Sequence, residues 1–141
     1  MKILITENFS GVEAAIRRGA ARGIHHAAKI GADDADDRAP VDTGELVEKI
    51  RAVKVSDTRS EILSDAEHSA IVEFGSVPHV IRPNAAKALF WPGAAHPVKE
   101  VQHPGTAAQP FMKPAADALR PRLADIVGRD VDIELKKLGG V

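Results

Sequence analysis

A row of small residues, Ala15, Gly19, Gly23, Ala27 and Gly31, recurs at four-residue spacing near the start of the chain and constrains the fold more than any other feature. Residues four apart share one face of a helix, and each interior glycine costs about 1 kcal/mol relative to alanine. A helix carrying such a row is weak by itself and gains stability when the flat face lets another backbone come close. Two partners meet that need: the chain's own sheet or C-terminal helix, or a helix of another subunit. Gly19 and Gly23 are the expected helix–helix contact points in either case. Beside the row runs an apolar stripe, Val12, Ile16, Ala20, Ile24 and Ala28. Ser10 and Glu13 stand at capping-box spacing, with Phe9 placed to staple onto the first turn. Pro40 ends the helix at or before Ala39. Asp33, Asp34, Asp36 and Asp37 oppose the helix macrodipole, so the last turn is expected to fray despite an Asp34–Arg38 pair.

In "APVDTGELVEKI", Asp42 and Glu45 stand at capping-box spacing around Thr43 and Gly44, and Leu46 and Ile50 share one face of a short helical turn. The period then falls to two. Ile50–Ser56 and Ser60–Ser64 read as strands across the turn Asp57-Thr58-Arg59. "HSAIVEFGS" reads as a third strand, with Ala70, Val72 and Phe74 on one face and Ile71 and Glu73 on the other. Short links make this an antiparallel meander. Between Val77 and Pro110 lie six of the nine prolines, which marks a change of structure. "HVI" and "ALFW" flank "RPNAAK" as a hairpin arm over about residues 77–104, its prolines kept to ends and edges. An arm bearing Val80, Ile81, Leu89, Phe90 and Trp91 invites another chain to pair with it. Pro110, Phe111 and Pro114 mark the entrance to a C-terminal helix, because proline is tolerated only in the first turn. Leu119, Leu123, Ile126, Val127, Val131, Leu135 and Leu138 form its stripe, Pro121 breaks it into a short and a longer piece, and Gly139-Gly140 stops it. The expected fold is α+β in a single domain over residues 1–141: an N-terminal helix, an antiparallel sheet with an extended hairpin arm, and a kinked C-terminal helix.

The absence of cysteine removes disulfides, thiolate zinc sites and thiol nucleophiles, and fits assembly in a reducing cytoplasm. Nineteen basic against 20 acidic residues give a net charge of −1, which offers no global attraction to nucleic acid or an anionic membrane. "MKILITENFSG" has no signal-peptide pattern, and no apolar run approaches the ~20 residues of a membrane span. His25 and His26 are adjacent on a helix and point apart. His79, His96 and His103 adjoin Pro78, Pro97 and Pro104, and His68 stands singly, so all six read as surface or loop residues. "DDADD" reads as a solvated run, and Glu73 as a partner in a salt bridge across subunits. No G-x-S-x-G elbow or phosphate loop is present. Arg17, Arg18, Arg22 and Lys29 form one basic stripe without aromatic platforms; it reads as a solvated face or an ionic match to a neighbour's Asp33–Asp37 run. No catalytic residue, cofactor or metal is expected. The rival readings are a histidine/carboxylate metal hydrolase and a small DNA-binding module using the Arg17–Lys29 stripe.

Four motifs stand in order along the chain: "RAPVDTGELVEKI", "AEHSAIVEFGS", "KALFWPG" and "VQHPGTAAQPFMKPAAD". Together, from about Arg38 to Ala118, they resemble the pattern of the neck and tail-completion proteins of long-tailed phages. His68-Ser69, where that pattern commonly has an aromatic, and Ser76, where it usually has threonine, depart from it. The resemblance implies a non-enzymatic structural protein of the virion neck, assembled in the bacterial host cytoplasm. It implies a homo-oligomeric ring, commonly sixfold. The implied partners are a head-side connector or stopper and a tail terminator or tail tube, with DNA passing through the lumen without sequence-specific binding. Near-neutral charge suits such a lumen. On that footing Phe90 and Trp91 become anchors for a neighbouring subunit or ring. The prolines around Phe111 reduce the freedom lost on docking, and Phe111 itself is placed in the domain's own core.

Overall fold

The computed structural model describes residue 9, residues 11–42 and residues 44–139. Ser10 of the expected capping box, Thr43 and Gly140 lie outside the described residues. The chain divides into two compact units, residues 1–66 with 111–141, and residues 67–110. No helix among the described residues is long and apolar enough to cross a membrane.

The first unit is organised by α1 (Val12–Arg38), which packs against α5 (Leu123–Leu138), α4 (Met112–Leu119), β1 (Ile50–Ser56) and β2 (Arg59–Ser64). The small-residue row forms the buried face: Ala15, Gly19, Gly23, Ala27 and Gly31 are buried, whereas of the stripe beside it Ala28 is buried and Ile16 is exposed. The physical reason is the approach of α5. A Cβ built on Gly19 would lie 2.5 Å from Val131 Cα, and one on Gly23 2.7 Å from Val127 Cα. Further along, a Cβ on Gly31 would meet the side chains of Ile62 on β2 and Leu119 on α4. Helix α1 runs through Arg38, and Ala35 in its last turn is fully buried. That burial and the Arg38–Asp34 pair at 2.9 Å hold the turn that charge alone would loosen.

Helix α2 (Glu45–Glu48) is a single turn whose N-cap is Gly44, not Asp42, and no side chain caps it. Strands β1 and β2 pair antiparallel from Ile50↔Ser64 to Ser56↔Arg59, with an irregularity between Lys54 and Ser56. Across their turn the Thr58 N–H donates to Ser56 Oγ. The C-terminal helix breaks at Pro121 into α4, a 3-10 turn at Arg120–Arg122, and α5. Pro114 sits in the first turn of α4, where its missing N–H leaves no bond unmade. Phe111 is the N-cap residue of α4 and is 0 % exposed, the largest side chain so fully buried among the described residues. The α5 stripe differs from the expected one. Ile126, Asp130 and Glu134 are buried, while Leu123 and Leu138 are exposed.

The second unit corrects the expected meander. "SAIVEF" is not a third strand but the short helix α3 (Ser69–Phe74), which closes on Gly75 through a Gly75 N–H to Ile71 O bond. Alternation in a run of six cannot separate a strand from a helical turn, and here the backbone bonds close locally. Among the described residues the sheets are accordingly two separate two-stranded ladders, β1–β2 and β3–β4. In the second, β3 (His79–Ile81) pairs antiparallel with β4 (Val101–His103). "HVI" therefore pairs with "VQH" and not with "ALFW"; Leu89 instead makes an isolated bridge to Val98.

Candidate assembly interface

Within the second unit the motifs "EFGS" and "HPGT" are brought together. Ser76 and Thr106 exchange backbone bonds of 2.9 and 3.0 Å, and the Gln109 N–H donates to Val72 O at 2.8 Å. Gly75 and Gly105 flank this bridge with φ of +73° and +91°. A Cβ on Gly75 would lie 2.6 Å from Thr106 O, and one on Gly105 would strike Ser76 O. Only glycine suits both the conformation and the space, which gives these two motif positions a mechanical reason. Beyond the bridge, His79 and His103 stack across the ladder with ring centroids 4.9 Å apart. His79 Nδ1 lies 2.9 Å from Val77 O, and His103 Nδ1 accepts from the Gly105 N–H.

The second unit buries no apolar side chain: every buried apolar residue belongs to the first unit. Its large apolar groups instead face outward. Phe74 is 79 % exposed, Phe90 67 % and Trp91 46 %, and Val77, Val80, Ile81 and Ile71 are exposed with them. Leu89 is half-buried at its bridge to Val98. Glu73 is buried on α3, the reverse of its expected outward position on a strand. The other sequence-derived positions lie in the first unit, except Pro110, the last residue of the second. Pro40 follows α1, Asp42 precedes Gly44, and Pro110 immediately precedes buried Phe111.

Sequence reading did not single out the residues that hold the basic stripe. Arg22 Nε donates to Asp130 Oδ1 at 2.6 Å, Arg22 Nη1 to Glu134 Oε1 at 2.7 Å, and Arg22 Nη2 to the Asp130 carbonyl at 2.9 Å. Arg18 reaches Glu134 at 3.3 Å, His26 Nδ1 lies 2.9 Å from Asp130 Oδ2, and Lys137 joins Glu134 at 2.6 Å. Half of the basic stripe is thus matched within the chain by α5, where it was expected to meet solvent or a neighbour. The available signal was spacing: Arg18, Arg22 and His26 repeat every four residues, as do Asp130 and Glu134. Burial pushes the Asp130 carboxyl up, but hydrogen bonds and charge from His26 and Arg22 outweigh it and hold the group below its usual range. The Lys137 hydrogen bond leads the causes that hold Glu134 below its usual range, against burial.

A depressed folded-state pKa stabilises the protein above the unfolded value and is lost as pH falls through the folded one. The melting temperature is therefore expected to fall steeply below about pH 4, where free carboxyls begin to protonate. In Asp130→Asn that acid slope becomes shallower. Melting curves of both proteins between neutral and acid pH check this; equal slopes would remove Asp130 from the linkage.

The family model described as "Bacteriophage HK97-gp10, putative tail-component" matches residues 5–75. That span takes in α1, β1, β2 and α3 and ends at Gly75, so it covers the helix and hairpin of the first unit and stops short of the arm. No curated protein and no solved structure matches the chain. With the model spanning half of the 141 residues, the chain belongs to the HK97-gp10-like family of phage tail components.

Proposed function

We propose that this tail component is a structural subunit of the neck. In this reading its copies form a ring, commonly sixfold, that joins head to tail around the DNA channel. It meets a head-side connector or stopper on one face and a tail terminator or tube on the other, and it performs no chemistry. The observation that carries the reading is the second unit's lack of any buried apolar side chain beside the exposure of Phe74, Val77, Phe90 and Trp91. A segment with apolar side chains and no core of its own gains most of its burial from a partner. Virion assembly supplies partners at high local density. Two short ladders leave edges free for pairing, and β3 and β4 have three residues each, which keeps those edges from joining at random before assembly.

Trp91→Ala is the direct test. The variant is expected to melt within a few degrees of the wild type, because Trp91 is half exposed and no core depends on it. Incorporation into particles is expected to fall by roughly tenfold or more, as for an aromatic anchor at an interface centre. Complementation of a particle lacking the wild-type chain, with the neck fraction quantified, reads both. Normal incorporation would separate the arm from assembly.

A further inference from the structure

Two histidines close the ladder of the second unit where it meets the glycine bridge. His79 and His103 are directly opposed across β3 and β4, with ring centroids 4.9 Å apart and planes inclined by 30°. His79 is exposed and His103 half-buried. Their backbone bonds call for different tautomers. A carbonyl oxygen can only accept, so the 2.9 Å contact between His79 Nδ1 and Val77 O places a proton on that nitrogen. An amide N–H can only donate, so the 3.1 Å bond from the Gly105 N–H leaves His103 Nδ1 bare, and the neutral ring carries its proton on Nε2.

The two rings therefore respond differently to a second proton, which histidine takes up between about pH 5 and 8. His79 receives it on Nε2 and keeps its bond to Val77 O. His103 can receive it only on Nδ1, where an acceptor becomes a donor facing the Gly105 donor. Gly105 has little room to turn away. Its φ is +91°, a Cβ there would strike Ser76 O, and the next residue, Thr106, is held to Ser76 by bonds of 2.9 and 3.0 Å. Two stacked imidazolium rings also repel each other, and the charges of the surrounding elements stand apart from them. Segments 76–78 and 104–106 carry no ionisable side chain. Arg82 and Glu100, beyond the far end of the ladder, pair with each other at 3.1 Å. Helix α3, with Glu73 and its N-cap His68, reaches this region through the Gln109 N–H bond to Val72 O. Among the described residues no hydrogen bond or ion pair joins either ring to a charged side chain.

We propose that His103 is a pH sensor that opens the β3–β4 ladder and its glycine bridge in mildly acid solution. With the ring neutral, the Gly105 bond and the stack on His79 hold β3, β4, Ser76 and Thr106 in register. As pH falls that bond is lost and the stacked pair gains like charge. A ladder of three residue pairs has little else to keep it closed. Opening it unpairs Val80 from Gln102 and Ile81 from Val101, which changes the apolar surface this unit offers to a partner. The Asp130 response of the first unit lies below about pH 4, a separate window. The sensor depends only on bonds within the second unit, so it stands or falls independently of the neck reading.

Nuclear magnetic resonance of the full chain tests the proposal across the histidine range, from about pH 7.5 to about pH 5. At the upper end the ring nitrogen shifts are expected to show the proton of His79 on Nδ1 and that of His103 on Nε2. On acidification, exchange protection of the Gly105 and Thr106 amides, corrected for the intrinsic effect of pH, is expected to fall by roughly tenfold. That is the scale of one hydrogen bond with a like-charge contact. Amides in the middle of α1 keep their protection. His103→Asn offers the Gly105 N–H a neutral oxygen acceptor that takes up no proton in this range, and it is expected to stay protected throughout. A neutral His103 protonated at Nδ1, wild-type protection equal at both ends of the range, or a His103→Asn variant that loses protection with acid as the wild type does would each overturn the proposal. Should His103→Asn fail to form the bridge at neutral pH, the wild-type shifts and protection still decide.

Discussion

Truncating Phe111 to alanine is expected to cost about 3–5 kcal/mol, the range for a buried aromatic whose site cannot collapse. The first unit has little else of that size to hold it. Among the described residues, nine of its twelve buried apolar residues are alanines, leaving Leu46, Ile126 and Phe111 as the large ones. An alanine-lined core brings backbones close but removes little apolar surface per residue, so one phenyl ring carries a disproportionate share of the burial. Against a total stability of about 5–15 kcal/mol, that loss leaves a protein that is marginal or unfolded at 37 °C. Thermal and urea melts of Phe111→Ala and Phe111→Leu measure it, with leucine recovering much of the deficit. A cost below about 1 kcal/mol for the alanine variant would mean that the ring is not what organises this core.

Enlarging Gly19 to leucine is the second large effect, and here two terms oppose each other. Replacing an interior helix glycine with alanine ordinarily gains about 1 kcal/mol. At Gly19 the added Cβ would sit 2.5 Å from Val131 Cα and 2.9 Å from Asp130 O, both backbone atoms that no rotamer change can move. Helices α1 and α5 must separate, and separation also lengthens the Arg22–Asp130 and Arg22–Glu134 bonds. Overpacking of this kind costs about 1–3 kcal/mol or more, so it outweighs the gain in propensity. Gly19→Ala is expected to be destabilising, and Gly19→Leu more so, by about 3 kcal/mol. Gly128 on α5 has no atom within 4 Å of its would-be Cβ, so Gly128→Ala should gain stability and serves as the control. If Gly19→Ala were to stabilise the chain as Gly128→Ala does, the close helix contact would not exist.

Much of the first unit is legible in the sequence because local chemistry and tertiary packing agree there. Pro40 and the Asp34–Arg38 pair bracket the end of α1. The two-residue period places β1 over Ile50–Ser56, and Pro121 separates α4 from α5. The small-residue row announces a close contact, though the row cannot say whose backbone fills it; α5 does, through Val127 and Val131. Legibility fails where a side chain's role depends on a distant partner. Asp130 and Glu134 look like ordinary surface acids until α5 lies against α1 and sets them beside Arg18, Arg22 and His26. The second unit is harder still. Six residues of "SAIVEF" fit a strand or a helical turn equally well. The pairing of "HVI" with "VQH" rather than "ALFW" is a non-local choice that no short-range pattern encodes. The motif glycines Gly75 and Gly105 are readable only together, because each is required by the backbone next to the other.

Helix α1, the β1–β2 hairpin and α3 lie inside the stretch shared with phage tail components, whereas the arm lies outside it. The match also leaves out α4 and α5 of the first unit. The family places this chain among phage tail components, and in the role proposed above other virion proteins would cover the exposed apolar surface of residues 67–110.

Electron cryo-microscopy of the intact particle, at a resolution that traces this chain, is the most direct measurement. The expected density shows several copies around the DNA channel at the head–tail junction, with Phe90 and Trp91 covered by a neighbouring subunit or ring. Copies located away from that junction, or Phe90 and Trp91 still facing solvent in the assembled neck, would contradict the proposed role.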